Sequence, residues 1–430
     1  MIQKFEMIKS LRGTLNLAGD KSISHRAVMF ASLAEAESII YNCSESEDVT
    51  STINCFSKMG CKFERDGNTI KVLGKGFKNL QQPSDDLDAG NSGTTTRLIS
   101  GILAAQNFQS TIIGDESLSK RPMRRITEPL KLMGAVLKPS DEGTLPMTIY
   151  PSSKIKPVEY TFQVASAQVK SAMILLAIHL DEESVFIEPV PTRNHTELML
   201  GLKTIPSENG IKIFASKKNY PVSKVFTVPS DISSASFFIV AGLITQNSEI
   251  IIKHVSLNPT RTGIITVLRN MGGQIEILDE HEEGGERVGD LKISSSDLTN
   301  IEIPKEIIPN IIDEIPVLSV AGVFAKGKFT IRNSHELRVK ESDRISSVCE
   351  NFKRAGLNVV EFEDGFEVDG ELTTSHVEFE TYFDHRIAMA FGILASKMEN
   401  GASVRDFEHV GISNPKFIIQ MNGLSHNSNI

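Results

Sequence analysis

The sequence of 430 residues has no tryptophan and few cysteines, and it has no long apolar run. Its four cysteines do not show the spacing of metal ligands or a paired framework, so we expect them to be reduced and structural. No apolar stretch approaches the roughly 20 residues that cross a bilayer, and the opening MIQKFEMIKS lacks a secretory core. We therefore expect a cytoplasmic protein that does not associate with membranes.

Positive charge is also in deficit. The chain has 45 Lys and Arg against 54 Asp and Glu, a formal net charge of −9. This balance argues against a nucleic-acid partner. The length and the 40% hydrophobic content favour about two globular domains. In such a chain, basic residues that cluster in a few motifs are informative.

The chain contains an internal repeat. Six apolar segments of helical length open with Asp, Asn or Ser and recur at intervals of roughly 65 to 80 residues. They are GDKSISHRAVMFASLA from Gly19, NSGTTTRLISGILAA from Asn91, SAQVKSAMILLAI from Ser166, SDISSASFFIVAGLI from Ser230, DEIPVLSVAGVFA from Asp313 and DHRIAMAFGILAS from Asp384.

Most of these helices are followed by a second helix, which is amphipathic and ends at a glycine before β-rich segments. RRITEPLKLMGAVLK is an example. The unit is thus helix, strand, helix, strands, with three units expected in each domain and a boundary near 225–230. The first helix of each unit is apolar on all sides, which predicts a buried position. The acidic, Gly-rich EILDEHEEGGERVGD predicts an exposed hairpin loop.

The opening helix carries Lys21 and Arg26 in its first turns, where the helix dipole favours negative charge. Either both side chains are solvated, or an anion belongs there. If several helix N-termini face one cleft, their amide groups form an anion-binding site. The two cations would then complete a site for an acidic, phosphorylated substrate.

Three further segments concentrate reactive groups. GDESLSKRPMRRITEPL places Lys120, Arg121, Arg124 and Arg125 at a helix start, with structural salt bridging as the alternative to a ligand site. ELRVKESDRI predicts a phosphate or carboxylate clamp, with a solvated helix face as the alternative. DHRIAM places an arginine in the first turn of an apolar helix, beside a histidine that we expect to be structural.

GDKSISHR, GNSGTTTRL, SKRPM, SAQVKSA, DEIPVLSVAG, ELRVKESDRI and YFDHRIAMA together resemble the motifs of the 5-enolpyruvylshikimate-3-phosphate synthases (3-phosphoshikimate 1-carboxyvinyltransferases) in their bacterial form. The resemblance implies an α/β (α+β) fold of two similar domains, each made of three βαβαββ repeats with buried helices, an inside-out α/β barrel. It implies a first domain over 20–228 and a second over 1–19 and 229–430, with the active site in the cleft between them.

The implied reaction transfers the enolpyruvyl group of phosphoenolpyruvate to the 5-hydroxyl of shikimate 3-phosphate, by addition and elimination, in chorismate and aromatic amino acid biosynthesis. No cofactor and no metal is implied, and a monomer is expected.

The resemblance also assigns roles to matching residues. Asp313 would remove the proton of the hydroxyl, Glu341 would exchange a proton with the methylene carbon, and Lys21 would assist. Shikimate 3-phosphate would be bound by Lys21, Ser22, Arg26, Ser166, Gln168, Asp313 and Lys340. Phosphoenolpyruvate would be bound by Lys21, Gly93, Arg121, Gln168, Arg344 and Arg386.

Some positions stay open. Arg193, Glu336 and Lys416 receive no firm role, and Asn91 is predicted to cap its helix. We also expect the C-terminal SHNSNI to be disordered.

Two other functions compete with this one. UDP-N-acetylglucosamine enolpyruvyl transferase would require a reactive Cys in the loop GDESLSKRPM, which has none. A non-catalytic phosphometabolite-binding protein would not need both Asp313 and Glu341.

Overall fold

A computed structural model of the protein describes residues 1–373 and 376–426. The chain divides into two compact units. The first unit comprises Ala18–Val228 and Glu282–Glu286, and the second comprises Met1–Leu17, Pro229–His281 and Arg287–Ile430. Of the C-terminal hexapeptide, residues 427–430 lie outside the described residues.

The unit limits differ slightly from the predicted domains, because residues 18, 19 and 282–286 fall in the first unit. Packing explains both differences. Gly19 lies so close to the carbonyl oxygen of Asn42 that a Cβ would sit 1.9 Å from it. A Cβ on Gly285 would lie 3.2 Å from the carbonyl oxygen of Leu198.

The first unit alternates helices with short strands. Its helices are α1 Lys21–Leu33, α2 Glu47–Lys58, α3 Gly93–Ala104, α4 Glu116–Ser119, α5 Arg124–Leu132, α6 Ala167–Ala177 and α7 His195–Leu200. Its strands are β3 Glu37–Tyr41, β4 Lys62–Asp66, β5 Thr69–Leu73, β6 Leu87–Asp88, β7 Ser110–Ile113, β8 Val136–Lys138, β9 Met147–Tyr150, β10 Glu159–Thr161, β11 Ser184–Glu188, β12 Lys203–Ser207, β13 Gly210–Ala215 and β14 Val225–Thr227.

These strands form three four-stranded sheets of one pattern, in the orders β14-β3-β5-β4, β6-β7-β9-β8 and β10-β11-β13-β12. In each sheet a parallel pair is extended by an antiparallel hairpin. Helices connect the strands, which gives the βαβαββ repeat. In the first sheet the parallel partner, β14, comes from the far end of the unit.

In the part of the chain that the structure describes, the second unit has eight strands besides two near the N-terminus. Its elements are β1 Gln3–Phe5, β2 Arg12–Asn16, α8 Ile232–Ile244, β15 Glu249–Ser256, α9 Gly263–Asn270, β16 Gln274–Glu283, β17 Glu286–Ser294, α10 Ile308–Ile311, α11 Ile315–Val323, β18 Phe329–Ile331, α12 Arg344–Arg354, β19 Asn358–Phe362, β20 Gly365–Asp369, β21 Glu378–Phe379, α13 His385–Ala395, β22 Ala402–Val404 and α14 Phe417–His426. Short 3₁₀ segments occur at Lys305–Ile307, His335–Val339 and Phe407–Ile412, and in the first unit at Lys217–Asn219.

The sheets of the second unit have the orders β16-β17-β15-β2, β18-β20-β19 and β1-β22-β21. The N-terminal strands β1 and β2 pair with β22 and β15, respectively. The acidic segment predicted as a hairpin loop is the end of a longer hairpin, β16 and β17, which turns at Gly284 and Gly285. Among the described residues the last sheet has no hairpin of its own, and β1 pairs with β22 in an antiparallel arrangement.

The six apolar helices predicted from the repeat are α1, α3 and α6 in the first unit and α8, α11 and α13 in the second, and all are largely buried. Small residues allow these helices to approach closely. A Cβ on Gly101 of α3 would lie 2.0 Å from the carbonyl oxygen of Ala172 on α6, so only glycine fits there.

All four cysteines are free and buried. In the described residues no helix has the length and apolar character needed to cross a membrane.

Candidate active site

In the first unit, α1 begins with a carboxylate cap followed directly by a cation. The Asp20 side chain accepts a hydrogen bond from the Ile23 amide at 2.9 Å, which satisfies a free N–H of the first turn. Lys21 follows, and its Nζ lies 2.8 Å from Oδ2 of Asp48 at the start of α2. The predicted ligand-binding Lys21 is therefore held by a carboxylate that the sequence analysis did not single out.

Arg26, one turn further along α1, is buried and is held from three directions. Its Nε donates to Thr196 Oγ1 at 2.7 Å, its Nη2 to Ser171 Oγ at 2.8 Å, and its Nη1 to the Ser22 carbonyl at 2.9 Å. Burial lowers the pKa of Arg26 to about 10, so it stays charged at neutral pH. The hydrogen-bond acceptors that fix the guanidinium are neutral, and the charges of Glu197 and Asp20 favour its charged form.

The start of α3 corrects one prediction. Ser92, not Asn91, caps this helix, because its side chain accepts a hydrogen bond from the Thr95 amide. Asn91 instead donates to Asp115 at 2.6 Å and accepts from Arg121 Nη2 at 3.2 Å. The Asn91 amide thereby positions Arg121, a residue predicted to bind phosphoenolpyruvate.

Gly93 opens α3 beneath two arginines. A Cβ at this position would lie 3.1 Å from Nη1 of Arg97 and 3.5 Å from Nη1 of Arg121. Arg97 is buried, and its Nη1 donates to Gln168 Oε1 at 2.5 Å. Gln168 in turn donates to Thr94 at 3.2 Å, which joins the first turns of α3 and α6.

The remaining predicted groups of this unit have separate positions. Ser166 caps α6 by accepting from the Val169 amide at 3.4 Å. Lys120 forms an exposed pair with Glu116, which is the salt bridge considered as the alternative for this cationic segment. Arg121, its neighbour, is directed to Asn91.

In the second unit, Arg344 is the centre of a cluster of carboxylates. It is the first residue of α12 and is only 1% exposed. Its Nε donates to Asp384 at 2.8 Å, its Nη2 to Glu341 at 2.5 Å and its Nη1 to Asp313 at 3.3 Å. Burial acts to lower the pKa of Arg344, but the three carboxylates outweigh it and raise the pKa above its usual value.

Asp313 also receives a second cation. Lys340 Nζ lies 3.5 Å from the same Asp313 oxygen and 3.3 Å from Glu336. Arg386 donates to the Asp313 main-chain carbonyl at 3.0 Å and to Ser233 at 2.6 Å. The structure therefore brings together all five residues that the sequence predicted for this unit: Asp313, Lys340, Glu341, Arg344 and Arg386.

Several polar residues of these two sites were not predicted from the sequence. Arg97 lies four positions after Gly93, one helical turn, and this spacing was a usable signal. Asp384 and Glu314 are neighbours of predicted residues, and Glu314 lies 3.7 Å from Arg386 Nη1. Ser233, which donates to Glu314, had no signal in the sequence because its partners are more than 80 positions away.

Both groups have the composition of sites for anionic ligands. The first combines cations with the amide groups of helix N-termini, which bind phosphate and carboxylate. The second adds two partly exposed carboxylates, Asp313 and Glu341, which accept or donate protons at a bound molecule.

Comparison with known proteins agrees with this chemistry. Residues 5–421 match the family model of EPSP synthase (3-phosphoshikimate 1-carboxyvinyltransferase). The chain is 45% identical over 415 residues to the 3-phosphoshikimate 1-carboxyvinyltransferase of Petrotoga mobilis, covering 95% of this chain and 96% of that protein. The Streptococcus thermophilus enzyme is 42% identical over 427 residues, with 97% and 98% covered.

Solved structures give the same result for the fold. EPSP synthase from Acinetobacter baumannii superposes with a TM-score of 0.87 at 37% identity, over 98% of both chains. The enolpyruvyl transferase NikO from Streptomyces tendae is similar at a TM-score of 0.73 and 14% identity, over 98% of this chain and 96% of that chain, which shows the fold alone. The predicted enolpyruvyl transferase fold is thus confirmed. The chain belongs to the EPSP synthase family and is a 3-phosphoshikimate 1-carboxyvinyltransferase of the shikimate pathway.

Proposed function

We propose that the residues of the two units act on one pair of substrates, phosphoenolpyruvate and shikimate 3-phosphate. The observation that carries the proposal is that Asp313 and Glu341 contact one guanidinium, that of Arg344, at 3.3 and 2.5 Å. Two carboxylates at one cation can serve two proton transfers on ligands that lie beside it.

Shikimate 3-phosphate binding is proposed for Lys21, Ser22, Arg26, Ser166, Gln168, Asp313 and Lys340. The support is the first two turns of α1, where a cap, a lysine and a buried arginine occur within seven residues. The cap of α6 by Ser166 adds a second helix N-terminus. Amide groups and cations of this kind bind phosphate without further help.

Phosphoenolpyruvate binding is proposed for Lys21, Gly93, Arg121, Gln168, Arg344 and Arg386. Gly93 supports this because it carries no side chain at a helix start that faces two arginines. Arginine suits the role because its planar fork can hold a carboxylate or phosphate through two parallel bonds.

The chemical step follows from these roles. Asp313 accepts the proton of the 5-hydroxyl while the hydroxyl oxygen bonds to C2 of phosphoenolpyruvate, and Glu341 delivers a proton to the methylene carbon C3. In the tetrahedral intermediate the bond from C2 to the phosphate oxygen then breaks, C3 returns a proton, and phosphate leaves. The cations stabilise the phosphate charge throughout.

The test combines phosphate release with solvent deuterium entry into the methylene group, followed by NMR. Wild-type enzyme should release phosphate only when shikimate 3-phosphate is supplied, and UDP-N-acetylglucosamine should not replace it. Asp313→Asn should lose phosphate release, and Glu341→Gln should lose deuterium entry. Glu350→Gln, in the exposed pair with Lys353, is the matched control. Undiminished deuterium entry in Glu341→Gln would remove that residue from the mechanism.

We further propose that the chain works as a monomer in the cytoplasm. Its phosphorylated substrates carry charges that do not cross a bilayer readily. Light scattering of the eluted enzyme should give one chain's mass, 47.3 kDa.

A further inference from the structure

The three carboxylates around Arg344 are not equivalent. Asp384 is completely buried, and its two oxygens also accept from the Arg386 amide at 2.8 Å and the Ser342 hydroxyl at 3.2 Å. Burial alone would raise the pKa of Asp384, but the charge of Arg344 lowers it. Asp384 cannot leave without exposing the start of α13 and a buried cation, so it is a permanent partner.

Glu341 differs in each respect. Its side chain is 25% exposed, and it precedes α12 rather than lying within a regular element. Its contact with Arg344 is made through Nη2, which also donates to Asp384 at 3.4 Å, so this nitrogen keeps a carboxylate partner when Glu341 leaves. The long glutamate side chain can rotate into solvent at small cost in packing.

Asp313 is intermediate. It is 13% exposed and shares its oxygen between Arg344 and Lys340, so a neighbouring cation remains with it if Arg344 turns to another anion. An arriving ligand carboxylate that pairs with Arg344 must therefore replace the most exposed of the three groups, because a fourth negative charge at the same guanidinium would be repelled.

We propose that Glu341 pairs with the guanidinium of Arg344 in the ligand-free enzyme and that the carboxylate of phosphoenolpyruvate displaces Glu341 from it. The substrate itself thereby frees the carboxyl group of Glu341, which exchanges a proton with C3. In this scheme Asp384 is a positioning residue that keeps Arg344 in place before and after the exchange. The inference rests on the roles proposed above for Glu341 and Arg344. It adds an order of events: the proton donor becomes available only when the donor substrate is bound.

The scheme predicts that neutralising Glu341 strengthens anion binding. The probe is 2-phospholactate, which keeps the phosphate and carboxylate of phosphoenolpyruvate but has no vinyl group and cannot react. Titrated by calorimetry into enzyme saturated with shikimate 3-phosphate, it should bind Glu341→Gln about fivefold more tightly than wild type, the factor expected for loss of one partly exposed ion pair.

Two further variants complete the experiment. Glu350→Gln carries the same chemical change at an exposed position of α12 and should leave the affinity unchanged. Asp384→Asn keeps an oxygen that can cap α13 but loses the charge that holds Arg344, so its affinity for the probe should fall at least tenfold while kcat falls less. If Asp384→Asn does not fold, the comparison of Glu341→Gln with Glu350→Gln still decides the question.

Equal or weaker binding by Glu341→Gln would overturn the proposal, since the glutamate would then not compete with the ligand. Tighter binding by both glutamine variants would also overturn it, because the effect would be one of overall charge. The roles proposed earlier fail separately: a Glu341→Gln enzyme with full turnover refutes the catalytic role, whereas loss of turnover without tighter binding refutes only the release by substrate.

Discussion

Replacing Lys170 by methionine should destabilise the first unit strongly. Lys170 is in α6 and is 1% exposed, and its Nζ lies 2.8 Å from Glu188 and 2.6 Å from Glu197, which are 5% and 3% exposed. Methionine fills similar volume but leaves two buried carboxylates without their cation. Breaking a buried pair in this way costs about 3–5 kcal/mol.

That loss should be visible as a lower melting temperature. For a unit of this size, each kcal/mol corresponds to about 2–4 °C, so calorimetry should show the first unit melting about 10 °C lower. The control is Lys131→Met, whose partner Glu128 lies 3.1 Å away on an exposed helix surface, and exposed pairs contribute about 0–1 kcal/mol.

The effect should also depend on pH. Burial raises the pKa of Glu188, and the charge of Lys170 opposes this only in part. A carboxyl group whose pKa is higher in the folded state takes up protons on folding, so its contribution to stability falls as pH rises. Without Lys170 this penalty grows, and the difference between Lys170→Met and wild type should be larger at pH 8 than at pH 5.

The reasoning would be refuted if Lys170→Met melted within about 2 °C of Lys131→Met, a difference of about 1 kcal/mol or less. It would also fail if the difference from wild type grew on acidification. The cluster adjoins a residue proposed to bind shikimate 3-phosphate, because Glu197, a partner of Lys170, is next to Thr196, which accepts from Arg26 Nε at 2.7 Å. We expect the KM for shikimate 3-phosphate to rise in Lys170→Met at temperatures where the protein stays folded.

Three other changes test separate parts of the structure. Gly101→Ala should lower the free energy of unfolding by about 1–3 kcal/mol, because the new Cβ would overlap the Ala172 carbonyl. Gly411→Ala, whose Cβ would have nothing within 4 Å, should change the melting temperature little. Equal effects of the two substitutions would contradict the close helix packing. Ser92→Ala should lose about 1 kcal/mol of stability because it removes the cap of α3. Asn91→Ala should instead raise the KM for phosphoenolpyruvate, because Arg121 loses a hydrogen-bond partner. The reverse pattern in melting temperature and kinetics would show that Asn91 is the cap. Burial raises the thiol pKa to about 11 in Cys43 and about 12 in Cys55, Cys61 and Cys349. A thiol reagent at pH 8 should therefore react slowly with the native protein, whereas in denaturant it should react with all four thiols. Rapid labelling of the native enzyme would contradict their burial.

The apolar helices show how far the sequence leads on its own. A helix that is hydrophobic on every side has to be buried, so their position followed from composition alone, and the residues at their N-termini could be recognised as ligand candidates. The motif residues of the second unit were likewise predicted, and Asp313, Lys340, Glu341, Arg344 and Arg386 lie together.

The partners of those residues could not be predicted in the same way. The cap of α3 was assigned to Asn91, because Asn and Ser are equally good caps and the choice depends on which residue has extended backbone at the helix start. Arg97 was read as part of an apolar helix, although its guanidinium donates to the side-chain oxygen of Gln168, 71 positions away.

The family, the repeat, the buried helices and the side chains available for chemistry could all be recognised from the sequence, because they depend on residue type and local spacing. The groups that hold those side chains became known from the folded chain. Asp48 at Lys21, Ser171 and Thr196 at Arg26, and Asp384 at Arg344 are contacts between elements far apart in the chain. Such contacts are selected by packing and by the need to satisfy buried charges, and neither leaves a local pattern in the sequence.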